Sequence, residues 1–206
     1  MIKCMKKLFA IAVLAATIFS AAPAFAQVAI HAGYSPEAWT TNDKSMNFNS
    51  YFAGVDFQVP VVAGLGISLG AQGRWSVESG DEDSRFQFDT NHRTNLVAAE
   101  IPVMVYYNFQ ITDNISIAPF AGPKFAYYFK GRTRNASGHP IYEWFDEEND
   151  VLKMNRFGVS GTVGLSVGFQ QFHVYGGYSK GLTDMDNVDN TETNTGGAFF
   201  GLMFGF

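Results

Sequence analysis

The stretch FGVSGTVGLSVGF, residues 157–169, decides the fold. Phe157, Val159, Gly161, Val163, Leu165, Val167 and Phe169 occupy its odd positions, while the even positions hold only Gly, Ser and Thr. Successive side chains of a β-strand point to opposite faces, so this segment presents one apolar face and one small, polar face. A tilted strand needs roughly 9–11 residues to cross a bilayer, and this one is long enough. Working outward, the same alternation recurs. Val97, Ala99, Ile101, Val103, Val105, Tyr107 and Phe109 oppose a face holding Glu100, Pro102 and Met104. Leu65, Ile67, Leu69, Ala71, Trp75 and Val77 oppose Gln72, Arg74 and Ser76. Period-two patterning predicts eight strands, near 28–35, 48–59, 64–78, 93–109, 115–130, 154–169, 171–182 and 194–206.

The connections sort by length. Pro60 to Ala63, Ile111 to Asn114 and the Gln170-Gln171 region are tight turns, whereas charged segments near 36–47, 79–92, 131–153 and 183–194 form the long links. Short turns at one end and long loops at the other are the anatomy of an eight-stranded antiparallel up-and-down transmembrane β-barrel. Composition agrees. Charged residues are 16%, against about 25% in ordinary soluble chains, and aromatics are also 16%, with 20 Phe and 21 Gly. Tyr107, Phe109, Phe169, Phe172 and Phe206 group near the short-turn end. Tyr51, Trp75, Phe129, Phe157 and Tyr178 group near the other, as interfacial belts do.

The first 26 residues read as an export signal. Lys3, Lys6 and Lys7 precede an apolar run from Leu8 to Phe19, and Ala24-Phe25-Ala26 is a small-x-small cleavage site. That run is too short for a membrane helix. Residues 27–206 are then the barrel domain. Cleavage removes Cys4, the only cysteine, and takes the formal net charge from −5 to −8. This excludes a disulfide framework and argues against nucleic acid as a partner.

The final segment, Gly197 to Phe206, ends on an aromatic preceded by alternating Phe204, Leu202 and Phe200. It resembles the C-terminal signal by which bacteria recognise outer-membrane barrels, which implies the barrel assembly machinery as a partner. Ala99-Glu-Ile-Pro-Val-Met-Val-Tyr-Tyr107, Ala118-Pro-Phe-Ala-Gly-Pro123 and Tyr175-Gly-Gly-Tyr-Ser-Lys-Gly-Leu182 resemble blocks of the PorT-like outer-membrane β-barrel family of Bacteroidetes, small barrels of the OmpA/OmpX type. The resemblance implies residence in the outer membrane among lipid and lipopolysaccharide, with the long loops extracellular and the short turns periplasmic. It implies no particular activity.

No catalytic set, cofactor motif or metal site is expected. His31, His92, His139 and His173 show no ligand spacing, and there is no Gly-x-Ser-x-Gly elbow. Lipid A deacylases resemble a His-x-Ser arrangement, but His173 is followed by Val174-Tyr175. The acidic runs Asp81-Glu82-Asp83 and Asp146-Glu147-Glu148-Asn149-Asp150, with Asp184, Asp186, Asp189 and Glu192, read as solvated surface, a bridging divalent cation being the alternative. One lumenal cluster is expected. Arg74, Glu100 and Lys124 share the inward face of three neighbouring strands. The turn near Thr112 puts Glu100 opposite Lys124, and the 79–92 loop puts Arg74 opposite Glu100 within a residue or two. Three functions stand open: a monomeric, non-enzymatic barrel that displays its loops, a narrow or gated solute channel (porin-like), and a lipid A-modifying enzyme. Trp39 and Trp144-Phe145, read as loop tips, favour display.

Overall fold

The computed structural model describes residues 27–41, 44–78, 93–135, 137, 139–145, 154–186 and 192–206. The expected signal segment, His92, the acidic runs at 81–83 and 146–150, and Asp189 lie outside these residues. Ten strand segments follow in order: β1 Gln27–Thr41, β2 Lys44–Val62, β3 Leu65–Glu78, β4 Arg93–Tyr107, β5 Phe109–Thr112, β6 Ile115–Arg134, β7 Pro140–Glu143, β8 Phe157–Phe169, β9 Phe172–Gly181 and β10 Thr193–Gly205. β5 continues β4 past Asn108, and β7 folds back on the end of β6. The other eight pair antiparallel in sequence order, β4 pairs β6, and β10 returns to pair β1 from Ala29↔Gly205 to Thr41↔Thr193. Among the described residues the eight main strands leave no free edge: they form a closed, eight-stranded antiparallel barrel.

The wall follows from the alternation. Ile101, Val105, Val163, Leu165 and Leu202 are all exposed, between 48% and 66%, while their strand neighbours face a filled interior. An apolar surface of this extent suits hydrocarbon and not water. All ten aromatics of the two expected belts lie on the exposed outer face.

Three turns close one end. Between β2 and β3 the two-residue turn Ala63-Gly64 has φ of 42° and 86°, the left-handed pair that matches strand twist in a hairpin. Asp113-Asn114 and Gln170-Gln171 make the other two.

At the opposite end the strands run further than the hydrophobic pattern suggests. β1 continues to Thr41 rather than stopping at 35, and β6 reaches Arg134 rather than 130. Above the apolar band both faces of a strand can be polar, so the period-two signal fades although pairing continues. A second correction concerns Trp39 and Trp144-Phe145. They are not displayed tips: Trp39 is 3%, Trp144 1% and Phe145 5% exposed. The long connection after β6 carries its own hairpin, pairing Arg132 with Glu143 and Thr133 with Tyr142. It then turns inward and drops Trp144 and Phe145 into the barrel mouth. There they meet Trp39, Met46, Phe48, Leu96, Tyr128, Met154 and Met185 in one cluster. Trp39 packs edge-on against Phe48, Tyr128 and Trp144 with ring centroids 5.5–5.8 Å apart. The Trp144 indole N–H donates to Thr133 Oγ1 at 2.9 Å, and Thr133 also bonds Thr94 at 2.9 Å.

The β2–β3 turn gives a test. Alanine in the left-handed region costs about 1–2 kcal/mol, and asparagine tolerates it better. Ala63→Asn should raise the unfolding free energy by roughly 0.5–1 kcal/mol in urea titrations of the barrel in lipid vesicles. Gly64→Val should lower it, because its Cβ would lie 2.7 Å from the Asn108 carbonyl oxygen.

Candidate functional site

The lumen is layered. Beneath the aromatic cluster lies a belt of four charges. Arg74 Nη1 stands 3.3 Å from Glu100 Oε1, and Lys124 Nζ approaches the same oxygen at 3.3 Å. The structure thus brings Arg74, Glu100 and Lys124 together; Arg74 lies within the expected two residues of Glu100, whereas Glu100 and Lys124 are not directly opposed. Glu100 pairs with Gln72 across β3 and with Ala126 across β6, while Arg74 faces Ala98 and Lys124 faces Pro102. Each contact is therefore diagonal, displaced by two residues from direct opposition. A slip of two keeps every side chain on its face, and long side chains reach diagonal neighbours. The displacement toward β6 arises because the turn falls at Asp113-Asn114 rather than at Thr112, and a bulge between Gln110 and Thr112 takes back one residue, so that the shift is two.

Two members of the belt escaped the sequence reading. Glu37 Oε2 accepts from Arg74 Nη1 at 2.7 Å, reaching past β2 from β1. By sequence the charged segment 36–47 reads as a loop, so Glu37 falls outside the expected first strand at 28–35. The available signal was the odd-position series Ser35, Glu37, Trp39 and Thr41. Gln72 completes the belt by donating its side-chain amide to Glu100 Oε2. Two carboxylates and two cations balance, and all four side chains are at most 12% exposed. Hydroxyl pairs brace the surrounding wall: Ser50 with Ser76 at 2.7 Å and Thr162 with Ser179 at 3.1 Å.

Below the belt, toward the short turns, a cavity of about 190 Å³ remains. Phe52, Phe120, Phe199, Met104 and Met203 give it apolar walls, and Lys124 and Arg74 of the belt form its roof. His31 Nδ1 lies 2.6 Å from Asp56 Oδ2, and its Nε2 has no hydrogen-bond partner. His173 Nδ1 approaches Ser166 Oγ at 3.4 Å, a distance too long for a firm hydrogen bond. These two residues come from the adjacent strands β8 and β9 and face the lumen, not the lipid. Among the described residues no group of three or more His, Asp or Glu is placed to hold a metal ion. Asp184 and Asp186 are occupied in fastening their own loop: Asp184 Oδ1 accepts the backbone N–H groups of Asp186 and Thr193 at 2.9 and 2.8 Å.

The C-terminal residues seal the wall. Phe200, Leu202 and Phe206 are exposed on the outer face. Phe204 packs on Phe172 and Phe206 with centroids 4.8 and 5.0 Å apart, and the Phe206 N–H donates to the Val28 carbonyl at 2.8 Å.

Removing one partner of a buried ionic network typically costs about 3–5 kcal/mol, since the cations left behind stay desolvated. Glu100→Gln should destabilise the folded barrel by that order in urea unfolding. Glu143→Gln removes the pair with Arg132, in which the carboxylate side chain is 47% exposed, and should cost no more than about 1 kcal/mol. Equal losses would mean that the belt carries no special weight.

The geometry can be set beside known proteins. The profile described as "Outer membrane protein beta-barrel domain" matches residues 25–187. No curated protein matches the chain. Among solved structures, Neisserial surface protein A (NspA) is 10% identical, with a TM-score of 0.53 over 87% of this chain and 97% of its own. The attachment invasion locus protein Ail of Yersinia pestis is 11% identical, with a TM-score of 0.48 over 88% and 99%. The outer membrane enzyme PagL is 10% identical, with a TM-score of 0.43 over 82% and 97%. Identities this low bear on the fold alone. The profile match spans most of the chain and agrees with the closed eight-stranded wall, so this protein belongs to the outer membrane protein β-barrel domain family.

Proposed function

We propose that this barrel is a monomeric, non-conducting and non-enzymatic anchor of the outer membrane that displays its long connections at the cell surface and keeps its short turns in the periplasm. In this reading residues 1–26 are cleaved as a signal peptide, the Phe200–Phe206 strand end is what the barrel assembly machinery reads, and the chain is of the PorT-like branch. The observation that carries the proposal is the filled lumen. Aromatic side chains from β1, β2 and the connection after β6 close the long-connection mouth, and the neutral charge belt lies directly beneath them. A solute crossing the barrel would have to displace both layers. The Ser166–His173 pair lends little to an enzymatic reading: it is inside the wall, away from acyl chains, and loosely spaced. The PorT-like strand gains a physical role, because its Glu100 is the hub of the belt and its Pro102 lines the cavity.

The plug and the orientation can each be tested. In planar bilayers the folded protein should add no conductance steps, whereas Trp39→Ala/Trp144→Ala should conduct. Burial losses of this kind cost about 3–5 kcal/mol each, so heat-modifiable gel migration must first show that the double variant is folded. Steps from the unaltered barrel would sink the non-conducting reading. For orientation, protease added to intact cells should cut near Asn135–His139. Cutting confined to the three short turns in lysed cells, with the hairpin protected throughout, would reverse the assignment of sides.

A further inference from the structure

Four cations gather on the outer wall where β4 and β6 leave the apolar band. β6 contains Lys130-Gly131-Arg132-Thr133-Arg134, and across it on β4 stands Arg93. The direction these side chains take depends on one bulge. Up to Tyr128 the even positions of β6 point into the lumen; Ala126 and Tyr128 are buried. Between Val97 and Ala98 the register shifts, with Ala98 opposite Tyr128 but Val97 opposite Lys130. Phe129 is the extra residue, as in a β-bulge. Beyond it the odd positions turn inward: Gly131 lies against Trp144 and Phe145, and Thr133 is buried. Lys130, Arg132 and Arg134 are thereby turned outward. Arg156 holds the bulge, donating to the carbonyls of Tyr128 and Phe129 at 3.4 and 3.2 Å and to that of Phe145 at 2.7 Å.

Among the described residues, the resulting patch is electrostatically unbalanced. Arg93 and Arg134 are directly opposed cross-strand partners, and Arg132 is next in the ladder, opposite Asn95. Like charges facing each other across a ladder are destabilising unless a counter-charge intervenes. Among the described residues, the only ion pair made by these four is Arg132 with Glu143, at 2.5 Å. The patch also sits at a defined depth. Lys130 shares a hydrogen-bonded row with Val97 and with the exposed Trp75, a member of the aromatic belt. Arg132 and Arg134 lie two and four residues beyond, about 7 and 13 Å further along the strand. That is where the phosphates of a surrounding leaflet lie, just outside the interfacial aromatics.

We propose that Arg93, Lys130, Arg132 and Arg134 form a docking site for the phosphate monoesters of an anionic glycolipid in the leaflet around the long connections. The choice of glycolipid rests on the orientation proposed above; the phosphate chemistry does not. The cations attract the phosphates, and the Arg93–Arg134 repulsion is relieved when an anion bridges them. Arginine suits such a bridge, since its planar fork binds phosphate oxygens bidentately. Glu143, already on Arg132, acts as a competing anion.

The test is retention of bis-phosphorylated lipid A by the purified, folded barrel, read by native mass spectrometry from neutral detergent. Each basic side chain near an anionic lipid surface contributes about fivefold in affinity. Arg93→Gln/Lys130→Gln/Arg134→Gln should therefore lower retention by about a hundredfold, with unchanged heat-modifiable migration. Glu143→Gln should raise retention, an effect that a purely structural role for the patch would not produce. Dephosphorylated lipid A should be lost like the triple variant. Retention by the triple variant equal to that of the unaltered protein would overturn the site, as would equal retention of dephosphorylated lipid A. Displacement by inorganic phosphate at matching concentration, or equal retention of phosphatidylglycerol, would overturn its assignment to a glycolipid. Conductance of the same samples is read separately, so a conducting barrel that still selects phosphorylated lipid would refute the anchor function and leave the docking site standing.

Discussion

Within hydrocarbon no water is present to satisfy a backbone N–H or C=O, and each orphaned group costs several kcal/mol. A sheet placed there has to close, and in this protein closure rests on two seams. One is β1 with β10, from Ala29↔Gly205 to Thr41↔Thr193. The other is β4 with β6, which pair from Arg93↔Arg134 to Tyr106↔Phe120. Once the sheet is closed with eight strands, its interior is only as wide as the side chains that fill it. Wall, filled lumen and absence of free edges follow from that constraint.

Closure turns the lumen into a protein core built from a polar face. Glu100, Arg74 and Lys124 would be expensive to bury singly, because desolvation in a low-dielectric interior is repaid only by close, hydrogen-bonded partners. The belt supplies them. Glu100 is shared by two cations and accepts from Gln72, while Arg74 is shared by two carboxylates. Glu100 Oε1 sits at 3.3 Å from both nitrogens without a well-directed hydrogen bond, so its stabilisation is mainly electrostatic. Above the belt the filling is aromatic. There the indole N–H of Trp144 finds Thr133, as a buried tryptophan requires.

The bulge at Phe129 links the inner and outer surfaces. By adding one residue to β6 it exchanges the faces of everything beyond it. Gly131 and Thr133 then make room for Trp144 inside, while three basic side chains that the earlier parity would have sent into the plug emerge outside. Arg156 serves both purposes, since it donates to the bulged carbonyls and lies over the Phe145 ring with its guanidinium carbon 5.6 Å from the centroid.

The sequence by itself determined the wall. Lipid imposes its demand on each outward side chain separately, so alternation in 157–169, 97–109 and 65–77 was enough to show strands, faces and the short-turn end. Parity alone also put Arg74, Glu100 and Lys124 on one inner surface, since a register slip of two residues does not change a face. What only the tertiary structure decided is who meets whom inside. Glu37 reaches Arg74 past an intervening strand, and Trp39 and Phe48 of the neighbouring strands β1 and β2 converge with Leu96, Trp144 and Met185 from distant parts of the chain. Neither leaves a periodic trace. Above the apolar band, polar residues on the outer face erase the contrast that marks a strand, so in sequence β1 ends before Glu37 and the buried Trp39 reads as a loop tip. A lumen is packed by many side chains at once, and closure and register, which arise only when all the strands are in place, select the arrangement.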